Sequence, residues 1–264
     1  MILYNGQNVE LGHFPDGTLL MREEVKEAPA VITWHYENTE ELTALYFLTR
    51  HIKSHSDKEV ELRLPYLPNA RQDRVKESWD VFTLKYFCEI INALHFSKVT
   101  VLDPHSNVSE ALLDRICVET PEKYVKKVLE KIQTEEETPV LFFPDEGAVK
   151  RYSALFSLPY LFGIKNRDWS TGQIKGLEIA GGSKAAEGKK ILIIDDICSR
   201  GGTFLHSARA LKEIGAGDIF LYVSHCENTV LCGSLLKSSL IKRIYTTNSI
   251  FTMEDEKVEV FAYE

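Results

Sequence analysis

Apolar and polar positions alternate along this chain in a pattern that predicts β-strands and α-helices taking turns. Short apolar runs bounded by turn residues predict strands, and segments with apolar residues every three or four positions predict helices. The predicted strands are 31–34, 59–64, 98–102, 139–143, 160–164, 191–194, 219–224, 243–246 and 258–262. The predicted helices are 38–52, 80–94, 121–133, 149–156 and 204–214, with one more after 224. This alternation implies right-handed βαβ units and mainly parallel sheets.

The most informative stretch is 191–203, where a predicted strand runs into two acids and a glycine-containing loop that opens a helix. Four consecutive aliphatic residues, 191–194, predict a strand buried on both faces. Paired carboxylates suit vicinal hydroxyls, whereas backbone N–H groups at a helix N-terminus suit a phosphate. The groups concerned are Asp195, Asp196, Ser199, Gly201, Gly202 and Thr203. A ligand with a phosphate near a diol is a sugar phosphate.

A simpler interpretation of the same stretch is a βα turn whose acids only cap the helix. A cap needs one acid. This loop has two acids, two glycines and two hydroxyl residues, so we favour the sugar-phosphate site.

Polar clusters follow the carboxyl ends of several other predicted strands. They are Arg71–Arg74, Asp103–His105, Asp145–Gly147 and Lys165–Arg167. Ligands of open α/β sheets bind along that edge. We therefore expect these clusters and the acid pair to form one extended site or two adjoining ones.

Composition narrows the class of protein. The chain has 264 residues, is 44% hydrophobic and 27% charged, and carries a formal net charge of -8, as expected for a globular protein that binds neither nucleic acid nor an anionic membrane. The five cysteines include no Cys-x-x-Cys pair, and we find no signal peptide or membrane-spanning run, so we expect a cytoplasmic protein with reduced thiols.

The acidic turn near 134–138 is the expected domain boundary.

The stretch 191–203 resembles the ribose-phosphate signature of type I phosphoribosyltransferases and of ribose-phosphate pyrophosphokinases (PRPP synthetases). The run Pro65–Arg74 is similar to the ATP-site run of the pyrophosphokinases, which ordinary phosphoribosyltransferases lack. Further segments resemble that family in the same order along the chain: Phe14–Thr18, Asp103–His105, Phe143–Ala148, Lys165–Arg167, Ser224–His225 and Thr246–Ile250. The resemblance covers nearly the whole chain.

The resemblance implies two similar phosphoribosyltransferase-like α/β domains, 1–134 with an ATP site and 135–264 with a ribose 5-phosphate site. It implies Lys165 and Arg167 as catalytic residues, and Mg²⁺ as a cofactor contacted by His105 and Asp145. The implied ATP-binding residues are Phe14, Asp16, Arg71, Gln72, Asp73 and His105. The implied ribose 5-phosphate residues are Asp195, Asp196, Ser199, Arg200, Gly201, Gly202 and Thr203. The diphosphate loop is Asp145, Glu146 and Gly147. The implied partners are ATP, ribose 5-phosphate and further copies of the chain in a homo-oligomer.

Four residues depart from the family pattern: Thr18, Ala148, Ser199 and Arg200. They leave two alternatives to the pyrophosphokinase open. One is an inactive regulatory subunit that binds PRPP or a nucleotide. The other is a type I phosphoribosyltransferase that consumes PRPP, although this leaves the Arg71–Arg74 run unexplained.

Overall fold

The computed structural model describes residues 1–26, 29–135, 137–167, 174–181 and 185–263. Side chains are not described for 165–167 and 174–177. The chain divides into two compact units, Met1–Thr120 and Pro121–Glu264.

The first unit is built on a six-stranded sheet with the strand order β2-β1-β5-β6-β7-β8. The strands of this unit are β1 Ile2–Tyr4, β2 Gln7–Asn8, β3 Gly12–His13, β4 Leu19–Leu20, β5 Ala30–Trp34, β6 Val60–Leu64, β7 Lys98–Leu102 and β8 Ile116–Glu119. Its helices are α1 Glu40–His55, α2 Thr83–Ala93 and α3 Val108–Leu112. Strands β5 to β8 are parallel, whereas β1 pairs antiparallel with β5 and with β2. Strands β3 and β4 form a separate hairpin.

The period of the apolar pattern explains these elements. In β6 the buried residues alternate, with Val60, Leu62 and Leu64 facing the core. In α1 the buried residues recur at helical spacing, as Leu45, Leu48 and Ile52 show. The core of the first unit thus forms where the apolar side of α1 meets the sheet.

The second unit is built on a seven-stranded sheet with the order β11-β10-β9-β12-β13-β14-β15. Its strands are β9 Val140–Phe143, β10 Tyr160–Arg167, β11 Ile174–Ala180, β12 Ile191–Cys198, β13 Ile219–Cys226, β14 Arg243–Thr247 and β15 Val258–Phe261. Its helices are α4 Glu122–Ile132, α5 Glu146–Tyr152 and α6 Gly202–Glu213. All neighbouring pairs are parallel except β10 and β11. Residues 191–194 are fully buried at the centre of this sheet, as the unbroken aliphatic run predicts.

The predicted α/β class with mainly parallel sheets is confirmed, but several elements differ in extent. Strand β10 continues to Arg167 because its end pairs antiparallel with β11, a strand that the apolar pattern does not predict. Strand β12 continues to Cys198, so the acid pair lies within it instead of after it. Helix α5 begins at Glu146, earlier than predicted, because the Asp145 side chain caps it. Between β13 and β14, where the sequence predicted a helix, the described residues form a 3₁₀ turn, Asn228–Cys232.

The division between the two units falls between Thr120 and Pro121, ahead of the acidic turn where the sequence placed the boundary. Helix α4 therefore belongs to the second unit. There Tyr124 stacks on Phe261 with ring centroids 6.1 Å apart, and Lys190 Nζ donates a hydrogen bond to the Ile132 carbonyl (3.0 Å). Among the helices of the described residues, none combines the length and the apolar character needed to cross a bilayer.

Candidate active site

Two polar segments of the second unit share one edge of the sheet. Strands β9 and β12 are parallel neighbours, with Phe142 paired to Ile193. The loop at Asp145 follows β9, and the acid pair Asp195–Asp196 lies near the carboxyl end of β12. The structure thus brings together two of the clusters that the sequence predicted to meet.

Arg151 of α5 binds both members of the acid pair. Its Nη2 atom donates a hydrogen bond to Asp195 Oδ1 (2.8 Å) and another to Asp196 Oδ1 (2.7 Å). The Asp195 Oδ1 atom also accepts a hydrogen bond from the backbone N–H of Asp196 (3.0 Å). The pair is therefore held in one orientation before any ligand arrives.

Burial raises the pKa of Asp195 well above its usual value, and the negative charges of Asp196 and Asp145 add to this effect. Arg151 acts in the opposite direction. The two acids thus share a water-poor setting with one arginine, where hydrogen bonds to hydroxyl groups are stronger than in water.

The loop after β12 has a shape that requires glycine at Gly201. Its φ angle is +78°, and a Cβ atom there would lie 2.7 Å from Leu235 Cβ. The backbone of Arg200 lies so close to Gly233 that a Cβ on Gly233 would overlap the Arg200 carbonyl. Segment 233–235 therefore packs against the loop and supports it, a role that the sequence did not reveal.

The rest of this loop is open to a ligand. Gly202 and Thr203 are exposed at the N-terminus of α6, and Arg200 is exposed beside them. Backbone N–H groups at the start of such a helix bind phosphate.

Ser199 stands where the resembled family has an acid, and its hydroxyl lies 3.1 Å from Thr229 Oγ1. Thr229 in turn donates a hydrogen bond to Glu227 Oε2 (3.0 Å). A carboxylate is thus linked to Ser199 through one hydroxyl group.

The segment predicted as a diphosphate loop is partly the first turn of α5. The Asp145 Oδ1 atom accepts a hydrogen bond from the backbone N–H of Ala148 (3.1 Å). Glu146 and Gly147 are exposed, whereas the Ala148 side chain is fully buried. The methyl group of Ala148 therefore packs inside the unit, away from the exposed side of the loop.

Lys165 and Arg167 lie in β10, whose backbone runs parallel to β9 at its start and antiparallel to β11 at its end. Their side chains are outside the described part of the structure. Their catalytic role remains a prediction.

In the first unit, Asp73 lies in the loop that follows β6 and is paired with its neighbour Arg74. It is 4% exposed and bound by Arg74 through Nε to Oδ1 (2.6 Å) and Nη2 to Oδ2 (2.9 Å). The hydrogen bond from Arg74 lowers the pKa of Asp73, and the charges of Arg74 and His105 contribute. Asp73 therefore braces its own loop through Arg74, although the resemblance assigns it to ATP binding.

Arg71 and Gln72 are exposed on the same loop. The Gln72 Oε1 atom accepts a hydrogen bond from Thr83 Oγ1 (2.8 Å), which connects the loop to α2. Because their side chains reach the surface next to the Asp73 brace, both are placed where a nucleotide could contact them.

Phe14 and Asp16 lie in the turn between β3 and β4. Phe14 is 49% exposed. Asp16 Oδ1 accepts hydrogen bonds from the backbone N–H (3.0 Å) and hydroxyl (2.7 Å) of Thr18, and these bonds lower its pKa. Asp16 thus stabilises its own turn, and Phe14 is presented to the outside.

The family segments Ser224–His225 and Thr246–Ile250 form a buried polar network at the carboxyl ends of β13 and β14. His225 Nδ1 lies 2.9 Å from Ser249 Oγ, and Thr247 Oγ1 donates a hydrogen bond to the Ser224 carbonyl (2.7 Å). These contacts tie the two strand ends together next to β12.

A magnesium site fits Asp145 better than His105. Asp145 is close enough to Asp195 to raise its pKa, and Mg²⁺ in phosphate-transfer sites uses one or two carboxylates together with substrate phosphates. His105 offers a nitrogen ligand, and its charge lowers the pKa of Asp73. Within the described ranges, no three His, Cys, Asp or Glu side chains converge on one point.

Cys198, at the end of β12, is buried and a hydrogen bond with Cys226 raises the pKa of its thiol, as does its burial. The thiolate that a nucleophile needs is disfavoured. The chemistry of this edge therefore rests on oxygen and nitrogen groups.

Sequence reasoning missed Arg151. It lies in a predicted amphipathic helix, where a lone arginine is typical of a solvated surface, and only the three-dimensional position of α5 brings it to the acid pair. No spacing rule connects residue 151 with residues 195 and 196.

A parallel sheet with an acid pair and a glycine-containing loop at its carboxyl edge makes the second unit an α/β domain of the class that the sequence resemblance implies. The model of the phosphoribosyl transferase domain family matches residues 122–257, more than half of the chain. The chain belongs to this family, among the ribose-phosphate pyrophosphokinases.

Two curated relatives illustrate the similarity. The ribose-phosphate pyrophosphokinase of Pyrococcus abyssi is 27% identical over 97% of this chain and 88% of its own length. The enzyme of the same name from Bacillus subtilis is 29% identical over 84% of this chain and 69% of its own length. The crystal structure of phosphoribosylpyrophosphate synthetase from Mycobacterium smegmatis matches with a TM-score of 0.78 and 20% identity, covering 97% of this chain and 86% of that one. This last likeness shows the fold.

Proposed function

We propose that this chain is a ribose-phosphate diphosphokinase, which transfers the β,γ-diphosphate of ATP to the 1-hydroxyl of ribose 5-phosphate and yields AMP and PRPP. The observation that carries the proposal is that one chain contains both a candidate ATP-binding loop and a candidate ribose 5-phosphate site. The Arg71–Arg74 loop is braced by Asp73 in the first unit, and the acid pair is held by Arg151 in the second.

On the sugar side, Asp195 and Asp196 accept hydrogen bonds from ribose hydroxyls. The 5-phosphate lies against the loop 199–203, where Gly202 and Thr203 are exposed at the start of α6. Thr203 donates a hydrogen bond to a phosphate oxygen, and Ser199 does so once its hydroxyl turns away from Thr229. Arg200, exposed at the same loop, adds positive charge.

On the nucleotide side, Arg71, Gln72 and His105 bind ATP. Lys165 and Arg167 neutralise the charge that develops as the diphosphate moves, because positioning and electrostatic stabilisation supply most of the catalysis in such transfers. Phe14 and Asp16 act at the ATP site of a neighbouring subunit in a homo-oligomer.

When bound, Mg²⁺ supplies charge neutralisation on the phosphate groups. Asp145 is the residue that fits this ion, together with Glu146 and Gly147 at the exposed side of the same loop. His105 is an additional contact in this proposal.

An inactive regulatory subunit is the second candidate, and the residues Thr18, Ala148, Ser199 and Arg200 motivate it. The structure weakens the argument from Ala148. The methyl group of this residue is fully buried, and its backbone N–H donates a hydrogen bond to the Asp145 side chain that caps α5. The structure offers no similar account of Arg200.

The test is to incubate the purified chain with ATP, Mg²⁺ and ribose 5-phosphate and to measure AMP. AMP that forms only when the sugar phosphate is present supports the proposal. Turnover that requires PRPP and a nucleobase would indicate a phosphoribosyltransferase, and binding without turnover a regulatory subunit.

A further inference from the structure

We propose that Arg151 is a positioning residue of the ribose 5-phosphate site, which fixes both carboxylates of the acid pair in the orientation that accepts the ribose hydroxyls. This inference rests on the proposed function, because it concerns the sugar-binding half of that site. It adds a residue outside every motif through which the sequence pointed to sugar-phosphate binding.

The geometry is that of a single nitrogen shared by two acids. Arg151 Nη2 lies 2.8 Å from Asp195 Oδ1 and 2.7 Å from Asp196 Oδ1. The side chains of Arg151, Asp195 and Asp196 are 18%, 15% and 4% exposed, respectively, so water screens the three charges only weakly. Charge-assisted hydrogen bonds of this length are stronger than those between neutral groups.

The acid pair needs such a cation. Neighbouring residues in a strand point to opposite faces, yet Asp195 and Asp196 both reach the same arginine. Two nearby carboxylates repel each other, and the charge of Asp145 adds to the repulsion at Asp195. Without a cation, the carboxylates would turn apart or one would bind a proton, and a protonated carboxyl accepts hydrogen bonds less well.

The position of Arg151 in the fold connects two parts of the site. It belongs to α5, the helix that Asp145 caps and that carries Glu146 and Gly147 in its first turn. Its guanidinium carbon lies 5.1 Å from the ring centroid of Tyr152, and Tyr152 is itself buried beside Phe143. The same short helix therefore sets the diphosphate loop and the orientation of the acid pair.

Carboxylate oxygens keep acceptor capacity beyond the bonds to Arg151, since each oxygen has more than one lone pair. The arginine thus orders the acids without preventing them from accepting hydroxyl groups. The consequence is that Arg151 influences sugar binding without touching the sugar.

The experiment is a calorimetric titration of ribose 5-phosphate into the full chain, with Mg²⁺ and a non-transferable ATP analogue present. We expect Arg151→Ala to weaken ribose 5-phosphate binding roughly tenfold or more, while affinity for the ATP analogue stays within about twofold. Guanidinium ion at millimolar concentration is expected to restore part of the lost affinity. The matched control is Lys150→Ala, an exposed residue of the same helix, which should leave both affinities unchanged.

Folded Arg151→Ala that binds ribose 5-phosphate as the parent does would overturn the inference. If Arg151→Ala does not fold, Arg151→Lys provides the test, because lysine keeps the charge but lacks the planar fork. We then expect weakened sugar binding at an unchanged thermal midpoint, and parental affinity would refute the role. Because binding is the readout, a parent chain that binds the sugar but forms no AMP would contradict the proposed reaction alone.

Discussion

Gly201 and Gly202 are neighbours in the sequence, but the structure makes different demands on them. Gly201 has a φ angle of +78° and lies against Leu235, whereas a Cβ on Gly202 would meet nothing within 4 Å. A residue with a side chain at Gly201 would be strained in its backbone and would also displace Leu235. Only one of the two glycines is therefore required by the fold.

We accordingly expect Gly201→Ala to lower the free energy of unfolding by about 1–3 kcal/mol. Gly202→Ala should change it by less than about 0.5 kcal/mol. Urea denaturation of both variants measures this difference. Equal stability of the two variants would show that the loop does not have the described conformation.

Lys165 and Arg167 were singled out through the family resemblance, and a kinetic experiment tests their proposed role. We expect Lys165→Ala to lower turnover by roughly 10²-fold or more, with a smaller change in substrate affinity, because a cation beside the moving diphosphate acts mainly in the transition state. The control is Lys189→Ala, an exposed lysine before β12. Parental turnover in Lys165→Ala would refute the catalytic role.

At the scale of elements, sequence and structure place α4 in different units. The boundary predicted from the sequence puts α4 in the first unit, whereas the structure puts it in the second. Contacts with Phe261, Lys190 and Glu259 hold it in the second unit. The acidic turn after α4 resembled a linker, since composition alone cannot show which unit a helix packs against.

The fragment 121–264 is therefore expected to unfold cooperatively on its own. The fragment 135–264, which lacks α4, should be less stable by roughly 2 kcal/mol or more, because it exposes apolar surface that α4 covers. Urea denaturation followed by circular dichroism compares the two. Equal midpoints would support a boundary at residue 134.

The loop after β6 is braced by the ion pair of Asp73 with Arg74, and this pair predicts a dependence of stability on pH. Because Arg74 lowers the pKa of Asp73 in the folded state, the stabilisation is present above the unfolded-state pKa, near 4, and is lost as the pH falls through the lower folded-state value. We expect Asp73→Asn to be less stable than the parent by on the order of 1 kcal/mol at pH 7. The gap should shrink below about pH 4.

The control for Asp73→Asn is Asp57→Asn, which removes an exposed carboxylate of the same unit and should show no such dependence. A stability gap for Asp73→Asn that is constant from pH 7 to pH 3 would show that the charge of Asp73 does not brace the loop.

Most strands were predictable because a buried parallel strand is an unbroken apolar run, as in 191–194. The ends of elements were not. The end of β10 is polar and is a strand only through its pairing with β11, and α5 begins early only because Asp145 caps it. Both depend on contacts that periodicity does not encode.

At the scale of the whole molecule, the sequence predicted which motifs meet at a sheet edge but not how they are held. The Asp145 loop follows β9, and the acid pair lies near the carboxyl end of the adjacent strand β12, in keeping with the carboxyl-edge rule. Arg151 and segment 233–235, which hold the acid pair and the loop after it, belong to no motif. Supporting residues of this kind are set by packing, so only the structure identifies them.

The central claim is that a diphosphate group, and not a single phosphoryl group, passes from ATP to the sugar. Phosphorus NMR of a reaction containing the full chain, ATP, Mg²⁺ and ribose 5-phosphate distinguishes these outcomes directly. We predict that AMP and a new diphosphate on ribose C1 appear in equal amounts. Formation of ADP with a C1 monophosphate, or ATP that stays unchanged while both substrates are bound, would contradict the account.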